Sequence, residues 1–172
     1  MRFKSLEMSN FMRYKGNNRI EFSCDDKKNV TIILGDNTVG KTTIAQAFRW
    51  CLYGALLTER GKKQEDYQLL NNDILAKMDA NSRASVFVEI IAEDDRHVYQ
   101  IRREVQYTRL YPKMIAKEFY KKVALYQSEK DDPDIKLEIQ GDSEINELIN
   151  ELFPRNLSHY FLFDGERWSD AT

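Results

Sequence analysis

Residues 30–42 read VTIILGDNTVGKT, an apolar run that leads directly into a glycine-rich loop. The run at 30–34 is β-branched and apolar and has the length of a buried strand. The loop at 35–42 matches G-x-x-x-x-G-K-[ST] at every fixed position, the pattern of a loop that holds the phosphates of a nucleoside triphosphate. Apolar residues then recur at helical spacing, at Ile44, Ala47, Phe48, Cys51 and Ala55. The sequence therefore predicts a strand, a phosphate-binding loop and a helix in succession.

The residue types in this loop suit phosphate and Mg²⁺ chemistry. Glycines allow backbone torsions that a side chain forbids, so that successive N–H groups can point at phosphate oxygens. Lys41 supplies a cation for the β- and γ-phosphates, and Thr42 supplies a hydroxyl oxygen of the kind that Mg²⁺ prefers. We predict ATP and Mg²⁺ as cofactors, with Lys41 as a catalytic residue and Thr42 as a metal ligand. The predicted nucleotide-binding residues of the loop are Gly35, Asp36, Asn37, Thr38, Val39, Gly40, Lys41, Thr42 and Thr43.

Composition predicts one soluble globular domain. The chain has 172 residues, of which 42% are hydrophobic and 31% charged, which excludes a disordered class. No apolar run has the length of a membrane span, and the N-terminal residues lack the apolar core of a secretory signal. Cys24 and Cys51 are too few for a disulfide framework, so we expect reduced thiols, a cytoplasmic location and no membrane partner. His97 and His159 lack a second ligand at metal spacing and are expected to be structural or surface residues.

Positive charge is concentrated in one segment although the net charge is −2. Between residues 96 and 122, eight basic residues face only two acids, Glu104 and Glu118. Such an excess suits contact with a DNA phosphate backbone, but it is equally typical of a solvated surface, and the sequence leaves both interpretations open. The basic residues are Arg96, Arg102, Arg103, Arg109, Lys113, Lys117, Lys121 and Lys122.

Hydrophobic periodicity predicts further elements on both sides of the loop. Alternation predicts a strand at 2–9, a second strand around Ile20 and Phe22, and a hairpin over 85–105 that turns at 93–96. The remaining expectations are a loop-rich connection with a short helical piece at 58–81, strand or helix at 106–126, a short strand at 136–139, and a helix from the N-cap Ser143 to before Pro154.

A phosphate-binding loop needs an acidic partner, and the best candidate is Asp164. It follows four apolar residues in the stretch YFLFDGE at 160–166, as the carboxylate of a Walker B strand would. Glu93 and Asp94 also follow an apolar run, but they fall in the expected hairpin turn. We predict that Asp164 is catalytic and a metal ligand.

Several segments together resemble the SMC-type ATPases, which have ABC-type heads. Asn10-Phe11, Tyr14-Lys15-Gly16 and Ile20-Glu21-Phe22 resemble the opening of these proteins, and the loop at 35–42 follows at the expected place. The stretch LFPRNL at 152–157, followed by YFLFDGE, is most similar to the DndD-like ATPases of DNA phosphorothioation and phage-defence systems. The resemblance covers essentially the whole chain.

This resemblance implies an α/β P-loop fold in which residues 1–172 form the N-terminal lobe of an ABC/SMC-type head, with a mixed β-sheet and an antiparallel hairpin region. A coiled coil and a C-terminal lobe are expected beyond residue 172. The implied partners are a second ATPase head in an ATP-bridged dimer, DNA, and other proteins of a DNA modification or defence system. Asp164 would occupy the Q-loop position. Arg13, one position later than the usual basic residue, would reach the nucleotide.

Three functions remain open at this point. The first is the ATP-binding half of an SMC/DndD-like ATPase that acts in DNA modification, restriction or repair; this lobe alone would then be inactive. The second is a stand-alone P-loop NTPase or kinase in which Asp164 is the Walker B carboxylate. The third is a nucleotide-sensing module that does not hydrolyse its ligand.

Overall fold

The computed structural model describes residues 1–36, 40–56, 68–110 and 116–158. These residues form one β-sheet with helices packed on one of its faces. In chain order the elements are β1 (Arg2–Ser9), β2 (Asn17–Glu21), α1 (Lys41–Tyr53), α2 (Asn72–Lys77), β3 (Arg83–Glu93), β4 (His97–Arg109), β5 (Ala116–Glu129), β6 (Asp132–Glu138), α3 (Asp142–Leu152) and a 3₁₀ turn (Arg155–Leu157).

The sheet has six strands in the order β2-β1-β3-β4-β5-β6, and each neighbouring pair is antiparallel. Short turns join β3 to β4 and β5 to β6, and such turns permit only antiparallel pairing. The fold is therefore mixed α/β with an antiparallel sheet. The predicted mixed sheet was wrong for the described residues, in which no parallel pair occurs.

One face of the sheet carries the core. Side chains directly opposite each other on neighbouring strands share a face, and the pair Ile90 and Ile101 is fully buried there. Helix α1 packs on β3 and β4, and α3 packs on β5 and α1. An aromatic cluster closes the edge near α3, where the Phe3 ring stacks on Phe153 at 5.2 Å and meets Phe48 edge-on at 4.8 Å.

The opposite face of the sheet is polar. Arg102 lies 3.6 Å from the carboxylate of Glu89, and its guanidinium lies 3.6 Å above the centre of the Phe87 ring. In the same cross-strand row, Arg19 on β2 lies 3.5 Å from Glu7 on β1. The helices thus cover one face only, and paired charges make the other face compatible with water.

Most predicted elements are confirmed. The strand at 2–9 is β1, the hairpin is β3–β4, and the segment that was ambiguous between strand and helix continues β4 and forms β5. The predicted N-cap Ser143 was wrong. Helix α3 begins at Asp142 with Gly141 as its N-cap, and the Ser143 hydroxyl instead lies 3.4 Å from a Glu147 carboxylate oxygen within the helix.

The predicted strand at 30–34 was also wrong for this structure. The segment is irregular, and Val30, Ile32 and Leu34 are 73%, 74% and 88% exposed. A strand requires a neighbour for its backbone N–H and C=O groups, and no described strand pairs with this segment. Within the segment, the Thr31 hydroxyl accepts a hydrogen bond from the Ser23 N–H at 2.9 Å.

The β3–β4 turn depends on Asp94. Its carboxylate accepts hydrogen bonds from the His97 N–H at 2.7 Å, the Arg96 N–H at 2.8 Å and the Tyr99 hydroxyl at 3.0 Å. The backbone N–H donors stabilise the charged form and lower the pKa of Asp94 to about 2.

We predict that Asp94→Ala lowers the free energy of unfolding at pH 7 by about 1–2 kcal/mol, because hydrogen bonds to a charged group are lost. The folded pKa is depressed, so this stability is present above the unfolded value of about 3.9 and is lost as pH falls towards 2. Urea denaturation of wild type and variant at several pH values measures the difference. It should shrink on acidification, whereas Asp95→Ala, an exposed neighbour, should have little effect at any pH. A difference that stays constant with pH would contradict this account.

Candidate phosphate-binding site

Helix α1 begins at the glycine-rich loop. Gly40 is the N-cap, with φ 112° and ψ 14°, and within the described ranges no side chain caps the first N–H groups of the helix. The Ile44 N–H donates the first helical hydrogen bond to the Gly40 carbonyl at 3.3 Å, so the N–H groups of Lys41, Thr42 and Thr43 lie outside the helical ladder. The first turn contains no acidic residue. This helix end is therefore suited to an anion.

The rest of α1 is fixed to the sheet. Ile44, Ala47, Phe48 and Cys51, four of the five residues of the predicted apolar stripe, are buried, whereas Ala55 lies beyond the helix end. The Cys51 sulfur is fully buried, 3.4 Å from the carbonyl oxygens of Val88 and Ile101, and burial raises its pKa to about 12. Cys51 is thus a neutral packing thiol, and Cys24 is also a free thiol.

Lys41 folds back over the loop that precedes it. Its ammonium donates to the carbonyl oxygens of Gly35 and of Asp36, the second at 2.7 Å. The side chain is exposed. The cation therefore contacts two carbonyl oxygens, in place of the phosphate oxygens that the sequence predicts.

Tyr14 also contacts the loop, and the sequence analysis missed its role. Its hydroxyl donates to the Gly40 carbonyl at 3.4 Å. A Cβ atom on Gly40 would lie 3.3 Å from the Tyr14 ring. Burial raises the pKa of Tyr14, which keeps the hydroxyl neutral. No periodicity signals this contact, because Tyr14 lies in the irregular segment after β1.

Arg13 does not lie in a strand. Residues 12–13 form a turn in which Met12 has φ 49°. Two hydrogen bonds hold this turn. The Met12 N–H donates to the Leu69 carbonyl oxygen at 2.6 Å, and the Asn71 side-chain amide donates to the Met12 carbonyl oxygen at 2.7 Å. Arg13 is exposed, and its approach to a nucleotide stays a prediction.

The structure brings together Gly35, Asp36, Gly40 and Lys41. Thr42 is exposed in the first turn of α1, whereas the side chain of Thr43 is 6% exposed and points into the packed interior. The remaining predicted residues, Asn37, Thr38, Val39 and Asp164, lie outside the described residues. In the described ranges no three His, Cys, Asp or Glu side chains form a metal-binding group. Of the two predicted metal ligands, Thr42 is the one that lies in the described residues, and its contact with Mg²⁺ stays a prediction.

The basic segment is divided between structural and surface roles. Arg103 donates to the Cys51 carbonyl at 3.1 Å, and burial lowers its pKa. Arg109 donates to the Met78 carbonyl at 2.6 Å, Arg102 is paired on the polar sheet face, and Lys121 pairs with Glu118. Lys113 lies outside the described residues. The segment as a whole is thus not one continuous basic surface.

Comparison with known proteins identifies the family. A family model described as an AAA domain matches residues 5–168. The chain belongs to the AAA-domain family. This membership supports an ATPase-type nucleotide-binding module and an SMC-like ATPase head. A search of curated proteins gives no match. Among the described residues of this AAA domain, no helix is long and apolar enough to cross a membrane.

We predict that Gly40→Ala weakens ATP binding at least about tenfold, because its φ disfavours a side chain and the added Cβ meets the Tyr14 ring. Isothermal titration calorimetry measures the affinity. Gly16→Ala is the matched control, since Gly16 has φ 66° but open space around its Cβ position. The control should lose stability with little change in ATP affinity. Equal ATP affinities in the two variants would contradict a role for the Gly40 geometry.

Proposed function

We propose that this AAA domain is the ATP-binding half of an SMC/DndD-like ATPase head that couples ATP binding and hydrolysis to DNA modification, restriction or repair. The observation that supports the proposal best is the convergence of the Lys41 ammonium and the unprotected end of α1 at one loop. A cation beside free N–H groups is suited to a polyphosphate.

In this proposal, ATP replaces the carbonyl oxygens that Lys41 now contacts. The ammonium leaves the carbonyl oxygens of Gly35 and Asp36 and donates to β- and γ-phosphate oxygens. The N–H groups of residues 41–43 donate to oxygens of the same phosphates. Tyr14 holds the Gly40 carbonyl, which keeps the first turn of α1 directed at the phosphates. These donors lie ready before the ligand arrives, so binding requires little reorganisation beyond Lys41.

Mg²⁺, when bound with ATP, would neutralise phosphate charge. The exposed Thr42 hydroxyl is a hard oxygen at the phosphate end of α1 and fits this ion. We propose Asp164 as a further ligand, direct or through water, because it follows an apolar run that suits a strand. Asp164→Asn should weaken Mg²⁺-dependent hydrolysis and preserve Mg²⁺-free nucleotide binding. Unchanged hydrolysis in that variant would refute the assignment.

A second lobe would complete the sheet. Val30, Ile32 and Leu34 expose apolar side chains beside the phosphate loop, and no described strand pairs with them. Exposed β-branched runs with unpaired backbone are suited to accept another strand. We propose that the C-terminal lobe packs against these exposed side chains, and that two such heads enclose ATP. This exposure favours the split head over a stand-alone NTPase.

We predict that Lys41→Ala in the full-length protein weakens ATP binding by about 2–3 kcal/mol, because a charged hydrogen-bonding group is removed. Titration with a fluorescent ATP analogue measures this loss as roughly a 30- to 150-fold rise in Kd. Lys77→Ala, which removes the same charge at the end of α2, should leave the affinity unchanged. If the Lys41 variant binds as tightly as wild type, the phosphate-site assignment is wrong.

A further inference from the structure

The far end of the β4–β5 hairpin exposes two aromatic rings. Phe119 is 59% exposed and Tyr120 is 47% exposed, although both belong to a strand. The pairing of β4 with β5 shifts between Gln106 and Tyr107, so that Phe119 is the extra residue of a β-bulge. Bulges redirect side chains at sheet margins. Here the bulge exposes the adjacent rings of Phe119 and Tyr120 to solvent. Polar side chains would be better solvated at these positions if the hairpin had only a structural role.

The strand register adds cations to the same face. Tyr120 lies opposite Gln106, and Lys122 lies opposite Glu104, both on the polar face of the sheet. In the next row Arg83, Thr108 and Lys117 lie side by side. The Arg83 guanidinium lies 3.9 Å from the centre of the Phe119 ring, which places that ring on this face too. We call this surface the hairpin platform, and it consists of Arg83, Lys117, Phe119, Tyr120 and Lys122.

Nearby acids do not neutralise the hairpin platform. The Glu118 carboxylate is held by the Tyr107 hydroxyl at 3.4 Å and by Lys121. Glu104 is held by Arg102 at 3.4 Å. In the part of the chain that the structure describes, neither Lys117 nor Lys122 makes an ion pair within 4 Å. The platform therefore combines exposed cations with exposed flat rings on a protein whose net charge is −2.

We propose that the hairpin platform binds single-stranded DNA, whose bases stack on Phe119 and Tyr120 while its phosphates contact the cations. The proposal rests on the DNA role proposed above and names the surface and the strand state. Cations complement a phosphate backbone, and aromatic rings stack on bases without regard to sequence. Only unpaired bases can reach the rings, because duplex bases are already stacked on each other. Single-stranded DNA is the polyanion that uses both features of the platform.

The test measures binding of a fluorescein-labelled 30-nucleotide oligothymidine to the full-length protein by anisotropy. The double variant Phe119→Ala, Tyr120→Ala should lose roughly tenfold or more in affinity, as expected for lost base stacking. The matched control is Ile135→Ala, Leu137→Ala on β6, which removes side chains that are 72% and 65% exposed and should not change the affinity.

The lysines are tested by salt dependence. In Lys117→Gln, Lys122→Gln the slope of log K against log salt should become shallower by about 1.4, which corresponds to two single-strand phosphate contacts. A duplex of the same length should bind more weakly to wild type and should be insensitive to loss of the rings. An unaltered slope, or a duplex that binds as tightly as the single strand, would overturn the proposal that the hairpin platform binds single-stranded DNA.

ATP titration of each variant separates this proposal from the proposed function. Variants that keep wild-type ATP affinity are folded, and their loss of oligonucleotide is then specific. Phe119→Leu, Tyr120→Leu is a second variant that keeps apolar bulk without a ring, and it should also lose the oligonucleotide. If it binds like wild type, stacking is refuted. If wild type binds ATP but no oligonucleotide, the platform fails while the nucleotide site stands. Binding of the duplex by wild type then decides separately whether the proposed DNA role also fails.

Discussion

The packing of α1 against β3 and β4 is the constraint on which the phosphate site depends. As a proposed anion site, one end of this helix keeps N–H groups outside the helical ladder, and those groups add no helical hydrogen bond to the fold. Burial of Ala47 and Cys51 against the sheet supplies the stability that the free end does not. Arg103 adds a cation at the other end of α1 through the Cys51 carbonyl, where the helix dipole is negative.

The Lys41 ammonium has hydrogen-bond partners in the structure without a ligand. The Lys41 ammonium donates to the carbonyl oxygens of Gly35 and Asp36, so its charge already contacts protein oxygens when no ligand is bound. In the proposed function ATP replaces these contacts, and its affinity would reflect the difference between two sets of hydrogen bonds rather than the sum of one set. Loop shape and nucleotide binding are thereby coupled, and Tyr14 limits how far Gly40 can move in response.

Local sequence patterns predicted the helices and strands whose position can be read from their own residues. Alternation identified β1 and the β3–β4 hairpin, and the spacing of Ile44 and Cys51 identified α1, because one buried face leaves a periodic trace. The run at 30–34 has the composition of a strand, but pairing also needs a neighbour, which composition does not encode. Tyr14 and Arg103 were not recognised for a related reason. Tyr14 contacts Gly40, which lies 26 residues later in the chain, and Arg103 contacts Cys51, which lies 52 residues earlier. Local sequence patterns do not signal contacts over such separations.

When ATP binds, we expect Lys41 to exchange the loop carbonyl oxygens for phosphate oxygens. A crystal structure of the full-length protein with Mg²⁺ and a non-hydrolysable ATP analogue tests it through one distance, from the Lys41 nitrogen to the nearest β- or γ-phosphate oxygen. The account predicts about 2.7–2.9 Å, the length of a charge-assisted hydrogen bond, with the contacts to Gly35 and Asp36 broken. A bound nucleotide that leaves Lys41 on both carbonyl oxygens would contradict it.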